Sequence, residues 1–395
     1  MLSNAPTPTT DPEPLFPNLG YMCSTCDSQT RQLSHLPFPS LTSINISFRI
    51  PNWFKDTLES FVKFSPHVKK LQILLLHSHV VFAKTFSRCI CGWQNLQTVT
   101  CLQVPLDVNV LAHLSRMSAL STLEFVLDAA LPALDSSLSF ANLRNLTLNC
   151  DSLHSVSQLL YQCQFYAITI FTLSIDRRPS RQELSFFLSG ILKCGVGQII
   201  KSLSLVHGEQ SPSLGEDGAL QLGMEDLRPC MAFSNLDTLD LYIGWNVDLR
   251  VSELLLLASS WPCLKFLSIN GDFGWNTQGG ITPNGLLQLF QICPSLHSIY
   301  VVVDTRGYIE LLSCGLLANQ TPSHIYIDVL DSKIEAESVP AIAALFARTP
   351  YSSISLKCCY WFDDIPGWEI YRFRWYDVRE LMESPGFKPS LLPNP

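Results

Sequence analysis

Phe140-Ala141-Asn142-Leu143-Arg144-Asn145-Leu146-Thr147-Leu148 is the stretch on which the fold turns, and Phe233-Ser234-Asn235-Leu236-Asp237-Thr238-Leu239-Asp240-Leu241 repeats it nearly letter for letter. Its skeleton is an apolar residue, two variable ones, an apolar residue, one variable and an apolar residue. The closing alternation has a period of two, the signature of a short strand with one buried face. The middle apolar position recurs at Met22, Ile44, Leu71, Val99, Leu123, Leu146, Leu173, Leu203, Leu239, Leu267, Ile299, Ile325 and Ile354. Neighbouring copies stand 22 to 36 residues apart, most of them near the roughly 20–29 of a leucine-rich repeat.

Between these strands the apolar period changes to a helical one. Asn52 to Phe64, Arg181 to Leu192, Val251 to Ser259, Leu286 to Ile292, Tyr308 to Leu317 and Val339 to Phe346 carry apolar residues at helical spacing. Ser180, three residues before Glu183, is a capping box, and Pro283 suits a first helical turn. Six X-Pro pairs (Phe38-Pro39, Ser65-Pro66, Trp261-Pro262, Cys293-Pro294, Thr321-Pro322 and Thr349-Pro350) precede strands, where proline ends the helix and turns the chain. One strand–loop–helix unit cannot bury its apolar face alone, whereas stacked units cover one another. The expected fold is therefore an α/β leucine-rich-repeat solenoid, a horseshoe with a parallel sheet on the concave face and helices on the convex face. Residues 1–14 read as a disordered lead-in, 15–357 as the solenoid with an inserted loop at about 206–232, and 358–395 as a C-terminal cap and tail. Trp368, Tyr371, Phe373 and Trp375, alternating with polar groups, are placed to cover the last repeat.

Composition narrows the function classes. The chain has 395 residues, 47% hydrophobic and 15% charged, with a formal net charge of −8. Apolar content is high and charge sparse against a typical quarter, which fits one long continuous core. The acidic balance and the lack of a Lys/Arg run argue against nucleic acid. No apolar stretch is long enough to span a bilayer, and Met1 to Pro14 has no secretory-signal pattern. The expected location is cytoplasmic or nuclear. The 14 cysteines, among them Cys101, Cys263 and Cys293 at apolar repeat positions, are then expected as reduced, buried thiols.

Candidate chemistry is thin. Cys23-x-x-Cys26 has the spacing of half a zinc site, without a second pair to complete it. Asp272-Phe273-Gly274 spells the kinase tripeptide without the motifs that give it meaning, and reads as a turn. His77 with His79 lacks acidic or thiol company, and Asp363-Asp364 point different ways in an extended chain. No catalytic residue, cofactor or metal is expected. Recognition surface is the better use of the strands. The variable residues Arg144, Asn145 and Thr147, and Asp237, Thr238 and Asp240, would face a partner. Trp245 and Trp275, with Phe273, follow strands and are expected as exposed aromatic anchors, whereas Tyr360, Trp361 and Phe362, which also follow a strand, are expected to belong to the terminal cap. The insertion beginning His207-Gly208-Glu209 is a second candidate surface.

The Phe-x-Asn-Leu-x-x-Leu-x-Leu phrase, the repeat length and the Trp/Cys-Pro-x-Leu turns at Trp261 and Cys293 resemble the leucine-rich-repeat region of fungal F-box proteins, from Leu15 to about Trp375. The resemblance implies a non-enzymatic, protein-binding role like that of the substrate-recognition part of an SCF-type ubiquitin ligase receptor. The F-box itself, a helical segment opening with a Leu-Pro-x-Glu-like phrase, is not visible before the repeats. A Skp-type adaptor is thus expected as a partner only if such a box lies upstream. The alternative is a standalone scaffold that shares the fold and has no link to ubiquitin transfer.

Overall fold

A computed structural model of the chain describes residues 18–26, 38–48, 54–75, 83–127, 137–208, 220–271, 274–275, 280–306, 324–347, 349, 351–358 and 368–384. It divides into two compact units, Met1–Cys150 with Gln162–Ala167, and Asp151–Tyr161 with Ile168–Pro395.

In the first unit the order is β1 (Tyr21–Cys26), β2 (Ser43–Phe48), α1 (Phe54–Phe64), β3 (Lys70–Leu75), α2 (Ala83–Ile90), β4 (Thr98–Pro105), α3 (Val108–Ser115), β5 (Thr122–Leu127), β6 (Leu138–Phe140) and β7 (Asn145–Cys150). Strands β1, β2, β3, β4, β5 and β7 pair in that sequence, all parallel. After α4 (Leu153–Gln162) the chain returns β8 (Cys163–Phe165) to pair with β6, and Phe140 stacks on Phe165 with ring centroids 5.3 Å apart. The β4–β5 register shifts between Cys101 and Pro105, an interruption where a proline without an N–H is tolerated.

The second unit runs β9 (Ile170–Ile175), α5 (Arg181–Lys193), β10 (Ser202–His207), β11 (Gln221–Leu222), α6 (Met224–Leu227), β12 (Thr238–Tyr242), β13 (Asn246–Val247), α7 (Val251–Ser259), β14 (Phe266–Ile269), α8 (Pro283–Ile292), β15 (Ser298–Tyr300), β16 (His324–Asp328), α9 (Val339–Phe346), β17 (Ser353–Lys357) and α10 (Trp368–Glu383). Strands β9, β10, β12, β14, β15, β16 and β17 form its parallel ladder, and β11 pairs separately with β13. Each unit is an α/β leucine-rich-repeat stack, as the spacing predicts.

Alternate residues explain the layering. Leu146, Leu148 and Cys150 of β7 are buried while Asn145, Thr147 and Asn149 are half-exposed, and β2, β5, β9 and β10 have the same alternation. The inward apolar residues meet in register: Met22, Ile44, Leu71, Val99, Leu123 and Leu146 in the first unit, and Phe171, Leu203, Leu239, Leu267, Ile299, Ile327 and Leu356 in the second. Three expected positions need correction. Leu173 lies opposite Leu205, so Phe171 is the partner of Leu203. Ile327 rather than Ile325 faces Ile299, and the place of Ile354 in the row is taken by Leu356, opposite Ile327. A slip of two residues keeps the same face of a strand inward, so the hydrophobic pattern cannot distinguish the two registers.

A second regularity comes from the backbone. One carbonyl just before most of the ladder strands accepts two N–H groups from the next coil: Gly20 from Thr42 and Ser43, Thr42 from Lys69 and Lys70, Lys69 from Gln97 and Thr98, Gln97 from Ser121 and Thr122, and Ser121 from Arg144 and Asn145. The second unit repeats this at Thr169, Lys201, Asp237 and Lys265. The turn before the strand is also shared. Leu41, Leu236, Leu264 and Leu296 donate their N–H groups to the carbonyls of Phe38, Phe233, Trp261 and Cys293, which places the first leucine of the phrase beneath the sheet. Pro322 and Pro350 lie outside the described residues.

The helices follow local signals. The expected Asn52–Phe64 helix is observed as Phe54–Phe64. Ser180 caps α5 by accepting the Glu183 N–H at 3.2 Å, and Glu183 accepts the Ser180 N–H at 2.8 Å. Thr282 caps α8, with Pro283 in its first turn. A Cβ on Gly285 would come within 2.5 Å of Val251 Cγ1, so a hydrogen at this position lets α8 approach α7. The Tyr308–Leu317 segment lies outside the described residues. The expected 206–232 loop is partly ordered structure: beyond Leu220 it forms β11, α6 and a 3-10 turn at Arg228–Ala232, held by an Arg181–Asp226 ion pair at 3.0 Å. Met224, Leu227 and Cys230 are buried there, which is why the segment folds. Residues 209–219 lie outside the described ones.

Most described cysteines are buried, as their repeat positions imply, but Cys263 is exposed. It stands in the turn between Trp261 and Leu264, whose side chains take the two inward places. Burial pushes the thiols of Cys230 and Cys293 up to about 12, and burial followed by the charge of Glu59 does the same for Cys89. Unfolded thiols ionise near 9, so these three contribute stability that is complete below pH 9 and lost as the pH rises toward about 12. The urea midpoint is expected to fall as the pH is raised above 9, and more shallowly in Cys230→Ala/Cys293→Ala. Equal slopes in the two proteins would refute the linkage.

Candidate functional site

In each unit the sheet face turned away from the buried leucines is lined by half-exposed strand residues. In the first unit, Thr98, Thr122 and Asn145 follow one another across the ladder in one row, and Thr100, Glu124 and Thr147 in the next. Asn145 Nδ2 donates to Thr122 Oγ1 at 3.3 Å. Arg144 stands exposed one residue before β7, its N–H bound to the Ser121 carbonyl at 2.9 Å. At the other edge of this unit an open depression is lined by residues including Tyr21, Ser43, Lys69, Lys70 and Gln97. The expected Arg144, Asn145 and Thr147 thus lie together on or beside this face.

The second unit places Thr238 and Asp240 on its face, with Asp237 just before β12. Asp237 pairs with Lys265 Nζ at 3.7 Å and accepts the Thr238 hydroxyl at 3.0 Å. Asp240 accepts the Ser204 hydroxyl at 3.4 Å. Three aromatic residues on the same face are additions that the repeat phrase does not announce. Phe266 of β14, Tyr300 of β15 and Tyr326 of β16 form a zigzag, with successive ring centroids 5.5 Å apart and ring planes inclined by 47° and 43°. Asp328 of β16 is fully buried beside them. Its carboxylate accepts the Tyr326 hydroxyl at 3.3 Å and the Leu330 N–H at 3.0 Å. Burial, and then the negative charge of Asp328, hold the Tyr300 phenol above its ordinary value. The sequence does carry a signal for them: the outward slots of β14–β16 hold Phe, Tyr and Tyr where other strands hold Ser and Thr.

Trp245 and Trp275 are not surface anchors. They are 1% and 0% exposed, and their indole N–H groups donate to the carbonyls of Pro179 at 3.1 Å and Ile269 at 2.9 Å. Each sits just after its strand, where the chain turns inward and a large apolar ring fills the end of the core, with its one polar atom satisfied. Near the C-terminus, Trp368 to Trp375 form part of a helix rather than an alternating strand. Trp375 and Val378, three apart, point inward, and Trp375 donates to the Ser332 carbonyl at 3.0 Å, while Phe373 is 63% exposed. Phe273, Tyr360, Trp361, Phe362, His77, His79, Asp272, Asp363 and Asp364 lie outside the described residues. Cys23 is exposed. Among the described residues no three His, Cys, Asp or Glu side chains come together as a metal site, and no helix is long and apolar enough to cross a membrane.

No protein-family model matches the chain, and no curated protein matches it. Among solved structures the chain is similar to an internalin from Listeria monocytogenes, with 12% identity over 87% of this chain and 82% of that one and a TM-score of 0.39. At that score the likeness carries no argument. The repeat assignment rests on the strand register and the shared carbonyls.

Proposed function

We propose that this chain is a non-enzymatic, cytoplasmic or nuclear protein-binding module that seats a protein partner on its exposed sheet faces. The observation that supports this reading is the side-chain arrangement of those faces. Parallel ladders hold rows of polar and aromatic groups (Asn145 and Thr147 in one unit, Thr238, Asp240, Phe266, Tyr300 and Tyr326 in the other) at fixed spacings. Groups held on strands bind with little ordering cost. Arg144 and Asp237 flank these rows and complete the candidate contact set. In line with the F-box resemblance, the chain is the substrate-recognition part of an SCF-type ubiquitin ligase receptor, and residues 358–395 are its terminal cap and tail.

Two measurements test this. Cross-linking of the full chain in cell extract, followed by peptide mapping, is expected to place partner cross-links around the two faces. The double substitution Thr147→Arg/Asp240→Arg is expected to weaken a recovered partner by about tenfold or more while leaving the circular dichroism spectrum unchanged. Partners that bind the double variant undiminished would move the site elsewhere. Co-purification of a Skp-type adaptor with the full-length gene product supports the ligase role. Partner binding without the adaptor supports the standalone scaffold.

A further inference from the structure

The aromatic zigzag of the second unit differs chemically from the rest of the described faces. Its row along the sheet reads Asp240, Ser268, Tyr300, Asp328, Lys357 across β12, β14, β15, β16 and β17, and the row before it reads Thr238, Phe266, Ser298, Tyr326, Ser355. The rings therefore alternate between rows, and small serines occupy the slots beside them. Inclined by 47° and 43°, the rings do not stack face to face, so their π faces are not spent on one another. The chain closes over the strand end at Gly271, where a Cβ would lie 2.6 Å from Ser268 Oγ and 3.3 Å from Tyr300 Cδ1. This packs Tyr300 against backbone and fixes the ring.

Charge decides what such a surface attracts. The Asp328 carboxylate is buried beneath the two tyrosines and held by the Tyr326 hydroxyl and the Leu330 N–H. Asp240 stands half-exposed on the other flank. Lys357 is the one cation of this row, in register with Asp328. Asp237 and Lys265, just before the strands, pair with each other. Two carboxylates against one ammonium leave the row net negative, and the ring faces add their own negative quadrupole. The Tyr300 phenol responds to the same sign of field: it resists ionisation, first through burial and then through Asp328. An anionic or purely aliphatic occupant gains nothing from this arrangement, whereas a cation does. A planar guanidinium is better suited than an ammonium, because it stacks on a ring and still directs N–H groups sideways to carboxylate and hydroxyl acceptors.

We infer that the Phe266–Tyr300–Tyr326 zigzag, flanked by Asp240 and Asp328, receives an arginine side chain from a linear segment of the protein partner. The inference rests on the sheet face being the protein-binding surface and adds the chemistry of the residue bound there. It makes the second unit the site of sequence selection.

A random linear-peptide display library selected on the full chain tests it, the enriched peptides then being measured on the unaltered chain and on Tyr300→Leu. Enriched peptides are expected to share an arginine. Synthetic copies carrying citrulline in its place are expected to bind at least about tenfold more weakly, with lysine in between. Asp240→Asn, which keeps side-chain shape, is expected to lower affinity severalfold, and added salt to weaken binding further. Peptides that lose binding in Tyr300→Leu but tolerate citrulline would overturn the arginine assignment and leave the sheet-face reading intact. Peptides that bind Tyr300→Leu and Asp240→Asn as well as the unaltered chain would count against both. A selection that enriches nothing on the unaltered chain would overturn the arginine site, since the zigzag would then lack affinity for any linear segment.

Discussion

Trp261→Ala is expected to lower the stability of the second unit by about 4–5 kcal/mol, at the upper end for truncating one core side chain. Trp261 is fully buried, and its indole N–H donates to the Cys230 carbonyl at 2.9 Å. It also closes the turn into β14, since its carbonyl receives the Leu264 N–H at 3.0 Å. Alanine leaves both a cavity and an unmatched carbonyl. The cavity accounts for most of the loss and the carbonyl for about 1 kcal/mol. Trp261→Phe keeps much of the volume and loses the hydrogen bond, so its cost is expected to be less than half as large. Urea titration followed by far-ultraviolet circular dichroism reads both. Because stacked repeats are stabilised mainly by their neighbours, hydrogen exchange should accelerate in α7 and β14 first and leave β1 to β5 nearly unchanged. A loss below about 2 kcal/mol would mean that the turn collapses onto the space the indole vacates.

Asn270→Ala is expected to cost about 3–5 kcal/mol from two separable sources. Asn270 is fully buried with φ +52°, in the left-handed region. Its side chain ties two backbone groups, accepting the Ile243 N–H at 3.2 Å and donating to the Trp245 carbonyl. Alanine leaves that N–H and that carbonyl without water or partner, at about 1–3 kcal/mol each, and keeps the left-handed strain of roughly 1 kcal/mol. Asn270→Gly removes only the strain and should recover about that last kilocalorie. If glycine and alanine are equally destabilising, backbone conformation plays no part at this position. Should glycine restore full stability, the two hydrogen bonds are dispensable.

These two positions also show how far the chain can be read before folding. Trp261 is legible as the end of a helix and the start of a repeat, because the Trp-Pro-x-Leu phrase has a mechanical meaning in one coil. Asn270 is not, because its partners, Ile243 and Trp245, belong to the coil before, and no local pattern states that bond. The same division runs through the site. Alternation alone places Asn145, Thr147, Thr238 and Asp240 on the outer face. It misplaces Trp245 and Trp275, because an aromatic after a strand looks the same whether the chain turns inward or outward. Phe266, Tyr300 and Tyr326 escape notice for a different reason: alternation puts them outward, but the repeat phrase is defined by its inward leucines and says nothing of what fills the variable slots. Cys263 reads as internal because small apolar residues fit turns and cores equally well. Phe171, Ile327 and Leu356 differ from the expected positions by two residues because alternation is blind to an even slip.

The carbonyl that serves two donors has an evolutionary consequence. A stretch of chain running from one such carbonyl to the next is closed in its own backbone requirements, so copying or excising a whole stretch leaves every donor matched at the junction. Gain or loss of a single residue inside the strand start does not. Tolerated length change is thereby pushed to the connecting segments, and the stretches indeed vary from 22 residues between Gly20 and Thr42 to 36 between the coils of Ser204 and Asp240 without a break in pairing. Descent of this chain should therefore have proceeded by duplication of entire coils and drift in their outer connections, with the outward slots of the strands left free to diversify toward new ligands.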